Sequence, residues 1–490
     1  MDSLWETLAN FAPTQAAAHS NKQLDLAIKD HVVAVNRLVT SQRQLVSANA
    51  RRILERLDPA TDSISFLAIL NLSLELSTTT PGIDKTSLLD ETLRFLLNFN
   101  PVQVRYVGSM LRRLLEHVAT GRLFTPLVSV EAIATALLRI DPTGSMFTST
   151  HLTLAKCAYH SSWIEPALKV LDRDITFYPG MAGQKDSRLL CDSTLAPTSY
   201  ISNETGLTDQ IRSVTVLEYD LVSALCYISR RDWTKAQRAL ERVITHPSKD
   251  KGVSKIMDEA YKKWLFVSLL KDGAASDPPA YTALPAKNAY NALGTAYRNV
   301  ATQFPTINVG QLKIEVESNQ KVWEDDGNTA LVAEVVAAYP KWQIINLRHI
   351  YKQISISQLR QVTLSAETGE VLKDDEETTQ LVRNMIESGL LKGELQLGSS
   401  GDDSYLLFHE DSESMTEEAF AQEIAQRHHN IEVLGKQYKT TNERLGASRE
   451  YVRHVAREQK RADKDAGDPG IGFDSQIEDE DLMTGIMAHG

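Results

Sequence analysis

The sequence predicts a mainly α-helical protein, built from paired helical repeats and followed by a small module of helices and strands and one long C-terminal helix. Three observations support this prediction. Apolar residues recur with the 3.6-residue period of a helix through most of the first 325 residues, where strand-type alternation is scarce. A pattern of six residues occurs twice, 69 positions apart. An apolar residue stands at every seventh position from residue 424 to residue 452.

The size and charge of the chain restrict the classes of protein to which it can belong. Its 490 residues are too many for one compact core, so about two to four structural units are expected. The formal net charge is −12, from 52 basic and 64 acidic residues. Such a surface repels nucleic-acid phosphates unless a local basic face offsets it, so we expect no nucleic-acid partner.

Cysteine usage and the hydropathy pattern indicate a compartment. Cys157, Cys191 and Cys226 form no close pair, which argues against a disulfide framework or a zinc site and favours reduced thiols. The first residues do not have the basic-then-apolar pattern of a signal peptide, and no apolar run has the ~18 residues that a membrane span needs. We therefore expect a cytoplasmic and nuclear protein that has no membrane partner.

The first helices are predicted from apolar stripes and from the prolines between them. Asn98–Pro101 should end one helix, because proline lacks an N–H donor and restricts the residue before it. The aromatic residues in the later stripes are expected in the core. The four stripes are Leu89, Leu93, Leu96 and Leu97; Val104, Val107, Leu111, Leu114 and Leu115; Met257, Ala260, Tyr261, Trp264 and Val267; and Tyr290, Leu293, Tyr297, Val300 and Phe304.

The internal repeat predicts the architecture of this region. Its matched pairs are Ala155 and Ala224, Cys157 and Cys226, Ala167 and Ala236, Leu171 and Leu240, Ile175 and Ile244, and Thr176 and Thr245. Each copy predicts two helices, at 149–159 and 162–176 in the first and at 212–229 and 233–246 in the second. Units of about 35 to 40 residues are the size of a tetratricopeptide-like repeat, so we predict a right-handed solenoid. The intervening loop, 179–210, is predicted to be a mobile insertion or a partner contact.

From residue 326 to residue 412 the hydrophobic pattern changes to short helices and extended segments, which predicts a winged helix. The predicted elements are helices at 330–339 and 342–351 separated by Pro340, a short extended piece running into a helix at 354–359, a helix at 378–386, and extended segments at 390–397 and 404–408. Two apolar extended segments around a Gly- and Asp-rich turn predict a β-hairpin. Helices followed by a hairpin in this order are typical of a winged helix.

Residues 413–461 predict a long helix that needs other helices as partners. It should begin at a capping box formed by Ser414 and Glu417. The positions three residues after each apolar residue are too polar for a two-stranded coiled coil. A long helix with one exposed apolar stripe is also not stable alone in water. The acidic residues 462–490 are predicted to be disordered. The predicted domains are therefore 1–325, 326–412, 413–461 and 462–490.

The sequence carries no motif of a known catalytic or metal site. It has no Gly-x4-Gly-Lys-Ser/Thr loop, no His-Glu-x2-His and no Gly-x-Ser-x-Gly. The neighbours His428 and His429 point about 100° apart on a helix and so chelate one ion poorly. Residues 341–410 hold seven basic and eleven acidic residues, with Asp402 and Asp403 in the wing, which disfavours DNA binding. We predict no enzyme, no metal and no cofactor.

Four segments carry a resemblance to a known family. They are Pro166–Asp174, Glu259–Leu270, Ile354–Leu359 and Met385–Gly389. With repeats, winged helix and terminal helix in this order, the chain resembles the PCI family of scaffold subunits from the signalosome, the proteasome lid and translation-initiation complexes. The likeness runs from about residue 90 to 460. The first 60 residues carry little of it, and the loop 179–210 looks like an insertion.

The resemblance implies a noncatalytic scaffold, most similar to those of the COP9 signalosome, which removes the modifier Nedd8 from cullins of cullin-RING ligases. A scaffold of the proteasome regulatory lid is the alternative. The implied partners are other signalosome subunits of the PCI and MPN type, and cullin-RING ligases indirectly. The hairpin and the terminal stripe would make the contacts. The candidate interface residues are Leu395, Leu397, Leu406, Phe408, Ile424, Ile431, Leu434, Tyr438, Leu445, Val452 and Val455.

Overall fold

The computed structural model describes residues 2–9, 21–79, 85–179, 189–247, 252–396, 403–409, 416–449 and 451–457. These residues form a mainly helical fold with one small sheet, as the sequence predicts. Two compact units are distinguished, Met1–Leu391 with Leu395–Leu407, and Lys392–Glu394 with Phe408–Gly490. The predicted division at residue 325 stays a prediction.

The region before the sheet consists of consecutive helices. The first ten are α1 Asp2–Ala9, α2 Asn21–Ser41, α3 Arg43–Arg56, α4 Ser63–Thr79, α5 Lys85–Asn98, α6 Pro101–Val104, α7 Gly108–Ala119, α8 Pro126–Ile140, α9 Ser149–Ser161 and α10 Glu165–Leu171. The next nine are α11 Pro197–Tyr200, α12 Ser213–Ser229, α13 Trp233–Ile244, α14 Lys255–Asp272, α15 Leu284–Leu293, α16 Thr295–Gln303, α17 Val309–Ser318, α18 Gln320–Asp325 and α19 Thr329–Leu347.

The predicted repeat is present as the helix pairs α9–α10 and α12–α13. Small residues lie where the helices approach one another, since Ala155, Ala167, Ala224 and Ala236 have no exposed surface. The first helices of the two pairs are direct neighbours, because the Cys226 thiol lies 3.9 Å from the carbonyl oxygen of Ala155. Helix α10 ends earlier than predicted, at Leu171 rather than at residue 176.

Aromatic side chains fill the core of the later helices. The rings of Tyr261 and Tyr290 stack with centroids 4.5 Å apart, and Tyr297 meets Trp323 edge to face at 4.7 Å. The prediction that the aromatic stripes belong to the core is therefore confirmed. Two leucines of the predicted stripes, Leu97 and Leu293, are instead exposed.

Of the two predicted roles of the loop 179–210, a mobile segment is wrong for residues 189–210, and a partner contact stays a prediction. Cys191, Tyr200, Leu207 and Thr208 are buried there, and the short helix α11 lies among them. Buried side chains from several turns of a loop indicate that it is packed against the helices. Residues 180–188 lie outside the described residues.

The predicted winged-helix module contains α19, β1 Gln353–Ser355, α20 Ile356–Val362, α21 Asp375–Glu387, β2 Gly393–Gln396 and β3 Tyr405–Phe408. The strands follow the order β1-β3-β2, and β1 is antiparallel to β3, with Ile354 opposite Leu406. The predicted hairpin, the extended piece and helix at 354–359, and the helix at 378–386 are confirmed. The predicted break at Pro340 is wrong, because α19 continues through it.

The terminal helix, α22, spans Glu417–Ala447, and residues 451–457 are also helical. Glu417 and Glu418 stand in its first turn, where negative charge favours the positive end of the helix dipole. The predicted capping residue Ser414 and the predicted disordered tail lie outside the described residues.

Candidate subunit-interface surfaces

The terminal helix carries an exposed apolar stripe. Seven large apolar side chains on it and on the helical residues 451–457 are between 45% and 72% exposed, although burial of such groups is the main driving force of folding and association. At 100° per residue, the six of them within α22 fall within an arc of about 80°, the width of one helix-packing face. The seven residues are Phe420, Ile424, Ile431, Leu434, Tyr438, Leu445 and Val452.

Sequence reasoning missed Phe420, which begins the stripe four residues before Ile424. The signal was available, because residues four apart lie on the same face of a helix. The polar stripe position Arg427 is paired with Glu423 one turn earlier. Val455, also among the predicted interface residues, is partly buried.

The hairpin places its predicted interface residues differently. Leu406 and Phe408 are buried, and Leu395 is partly buried, so these side chains do not form an exposed patch. Leu397 lies outside the described residues. The strand order leaves β2 at one edge of the sheet, where backbone N–H and C=O groups can pair with a strand from another chain. Assignment of these residues to an interface stays a prediction.

The acidic wing residue Asp403 has a local structural partner. Its carboxylate accepts a hydrogen bond from the Ser357 hydroxyl at the start of α20, and this bond lowers the pKa of Asp403. Beside it, the backbone N–H of Ile356 donates to the carbonyl of Ser404 at 2.8 Å. The two bonds fix the start of β3 against α20 and so hold the hairpin in place.

A groove of about 690 Å³ lies between the second repeat and α19. Apolar residues such as Trp233 and Leu331 line it, together with charged residues. Its charges are paired: Arg231 meets Glu334 at 2.9 Å and Lys263 meets Glu259 at 2.9 Å. Because each pair is neutral, the groove does not select a ligand of one charge.

The described residues contain no cluster of three or more His, Cys, Asp or Glu side chains that could hold a metal ion. Burial raises the pKa of all three thiols, that of Cys226 to about 12, so they stay protonated at neutral pH and are weak nucleophiles. Burial lowers the pKa of His151 to about 4. In the described portion of the chain, no helix is both long and apolar enough to cross a bilayer.

Comparison with known proteins identifies the family. A family model for the N-terminal helical repeats of COP9 signalosome complex subunit 3 matches residues 28–191 and 196–284, more than half of the chain. The chain belongs to the COP9 signalosome subunit 3 family. A COP9 signalosome complex subunit 3 from Neurospora crassa is 36% identical over 500 aligned residues, which cover 100% of both chains. Another from Emericella nidulans is 28% identical over 457 residues, 91% of each chain.

Membership of the COP9 signalosome subunit 3 family confirms the resemblance to signalosome subunits and corrects its limits. The match begins at residue 28 and the Neurospora crassa protein aligns over the full length, so the first 60 residues share the likeness. The family match includes most of the loop 179–210, since it continues to residue 191 and resumes at 196.

Proposed function

We propose that this chain is a noncatalytic scaffold subunit of the COP9 signalosome, which removes Nedd8 from cullin subunits of cullin-RING ubiquitin ligases. The observation that carries the proposal is the full-length similarity to a COP9 signalosome complex subunit 3. The exposed stripe of α22 supports an assembly role, because a helix with one apolar face needs a partner in water.

The noncatalytic role is supported by how the chain uses its titratable groups. Tyr227 donates to the carbonyl of Leu171 at 2.9 Å, and Asp220 pairs with Arg242 at 2.6 Å. These groups join neighbouring helices of the repeats, and they are occupied with structural bonds. Deneddylation is therefore proposed for the complex, with the catalysis supplied by a metalloprotease subunit.

The terminal helix would bind helices of other subunits in a shared bundle. Burying one large apolar side chain contributes roughly 1.5–3 kcal/mol, so the six on one face of α22 would contribute about 9–18 kcal/mol against association costs of about 4–15 kcal/mol. The free edge of β2 would add backbone hydrogen bonds to a neighbouring sheet. Partners are thus other signalosome subunits, of the PCI and MPN type, and cullin-RING ligases indirectly.

The proteasome regulatory lid is the alternative assembly. The names of the matching family model and of both relatives favour the signalosome over it. The deciding experiment is affinity purification of the tagged chain from its own cells, followed by mass spectrometry. Recovery of cullins with a metalloprotease subunit is expected, whereas recovery of lid and ATPase subunits would overturn the proposal. A cytoplasmic and nuclear location is part of the proposal, and imaging of the tagged chain tests it.

A further inference from the structure

Two adjacent residues, Arg105 and Tyr106, lie in the turn between α6 and α7 and contact different distant segments. The buried Arg105 guanidinium donates from Nη1 to the carbonyl oxygens of Leu190 at 3.0 Å and of Asp192 at 2.7 Å. Its Cζ lies 3.8 Å from the centre of the Tyr200 ring, within cation–π distance. Arg105 therefore holds the segment 189–209 at two places.

Tyr106 holds the first long helix. Its hydroxyl donates to the Asp25 carboxylate of α2 at 2.5 Å, and Lys29 pairs with the same carboxylate at 2.6 Å. The segment 189–209 reaches the same end of α2, because the Cys191 thiol donates to the carbonyl of Asn21 at 3.1 Å. The N-terminal turns of α2 are thus bound from the turn and from the segment.

The backbone of the segment 189–209 lies directly against the backbone of α7, at positions where glycine provides no side chain. A Cβ added to Gly108 would lie 2.5 Å from the carbonyl oxygen of Thr205, closer than real Cβ contacts allow. Gly206, with φ +76°, likewise leaves no room for a Cβ beside the backbone nitrogen of Ser109. Only glycine at both positions permits this approach.

The far end of the segment reaches two more helices. Tyr200 donates to the carbonyl of Ile140, the last residue of α8, at 2.7 Å. Ser149, the first residue of α9, donates its backbone N–H to Thr208 at 3.0 Å and accepts from the N–H of Asp209 at 3.1 Å. One segment thus contacts the ends of α2, α7, α8 and α9.

We propose that residues 189–209 form a brace that couples the first long helix, α2, to the repeats, and that Arg105 closes it. The brace is a conformational device: when it opens, it withdraws the Cys191 contact from α2 and exposes the Arg105–Tyr106 turn. The helices α12 to α14, which the brace residues described above do not contact, stay folded in that open state.

The test uses hydrogen exchange and alkylation of Cys191 in the purified full-length chain. Arg105→Ala removes the closing contacts. Arg105→Lys keeps the charge but loses the planar face and fork geometry, so it should open the brace less. Gly108→Ala pushes the brace away through a backbone clash, although alanine is the better helix residue. Arg113→Ala is the matched control, because it removes an exposed guanidinium from α7, the helix that begins at Gly108.

We expect Cys191 alkylation and exchange across 189–209 to rise on the order of tenfold in Arg105→Ala and Gly108→Ala, because hydrogen bonds to a charged group are lost or strained. Exchange in the first turns of α2 should rise with them, while α14 and the control stay unchanged. The proposal fails if the brace loosens and α2 keeps its protection, or if neither segment changes. If Arg105→Ala does not fold, Gly108→Ala and Arg105→Lys decide by the same comparison.

Discussion

Ser162 and Arg231 stand 69 residues apart and share a left-handed backbone conformation, with φ of 60° and 58°. Each lies just after the first helix of a repeat pair, and each donates its N–H to the carbonyl three residues earlier, at 3.1 Å and 2.9 Å. Among the described residues, these two are the non-glycine positions with positive φ. The turn between paired helices therefore has a left-handed residue at the same position in both repeats, although the residue type differs.

Replacing Ser162 tests the strain at that turn. Glycine relieves the left-handed penalty at some entropic cost, so Ser162→Gly should change the free energy of unfolding by less than about 1 kcal/mol, toward greater stability. Valine, branched at Cβ, should lower it by about 2 kcal/mol. Urea unfolding measures both. Equal stability of the two variants would show that the turn relaxes freely.

Acidification should destabilise the chain through His151. Burial holds its folded-state pKa at about 4, below the ordinary 6.5, with Asp141 only partly opposing the shift. The folded state therefore binds this proton less readily than the unfolded state. Its contribution is complete above pH 6.5 and is lost as the pH falls toward 4, by about 1.4 kcal/mol per pH unit.

The His151 prediction has a matched variant. The Nδ1 of His151 accepts from the Thr148 N–H in the capping box of α9, and glutamine at the same position can accept that bond. His151→Gln should keep the fold and flatten the stability curve between pH 6.5 and 4, measured by urea unfolding at each pH. The same slope in both proteins would mean that other groups dominate.

Acidic residues in the stripe should detach the chain from its complex. Replacing Ile431 and Leu434 by Asp loses about 4 kcal/mol of burial and desolvation energy, on the order of a thousandfold in affinity. Lys436→Asp makes the same charge change of −2 on the opposite face and should bind normally. Gel filtration of the reconstituted complex, with circular dichroism of each variant, tests this. Co-elution of the double variant with its partners would contradict the bundle proposal.

The terminal helix should be protected by its partners. Hydrogen exchange across residues 416–457 should be fast in the free chain and slow in the complex, because its apolar face is exposed until other helices cover it. Residues of α14, whose core is already buried, should exchange at the same rate in both states. Equal protection of the terminal helix in both states would mean that it needs no partner.

The purified chain alone should not cleave Nedd8 from a cullin. The protonated thiols and the neutral, buried His151 provide neither a nucleophile nor a general base at neutral pH. The assay follows release of Nedd8 by gel shift, with the whole complex as the positive control. Turnover that persists after removal of every other subunit would contradict the noncatalytic role.

The sequence predicted the features that arise from local periodicity, and it missed those that arise from contacts between distant residues. The repeats were predictable because small residues recur where helices meet. The continuation of α19 through Pro340 was not, since the missing hydrogen bond costs about 3 kcal/mol and only packing offsets it. That packing includes Tyr339, which is buried and donates to the carbonyl of Thr306 at 2.7 Å.

The candidate interface residues also divide into those predictable from local periodicity and those that depend on distant contacts. Most of the apolar stripe of α22 follows from a period of seven, and Phe420, which is outside that period, was missed. The inward position of Leu406 depends on β1 joining the sheet beside β3, and a three-residue strand gives no periodic signal. The brace was missed because its glycines and polar residues are also typical of mobile loops.

The contact between Asn21 and Cys191 spans 170 residues, which matters while the ribosome is still making the protein. At about 5–20 residues per second, Asn21 is synthesised roughly 10 to 30 seconds before the thiol that binds its carbonyl. The hydrogen bond from Tyr106 to Asp25 spans 81 residues, so it also forms only after a delay. The first turn of α2 therefore lacks the Cys191 contact until residue 191 has been made, although the same helix can already pack on α4, where His31 Nε2 lies 3.2 Å from the Ser65 hydroxyl.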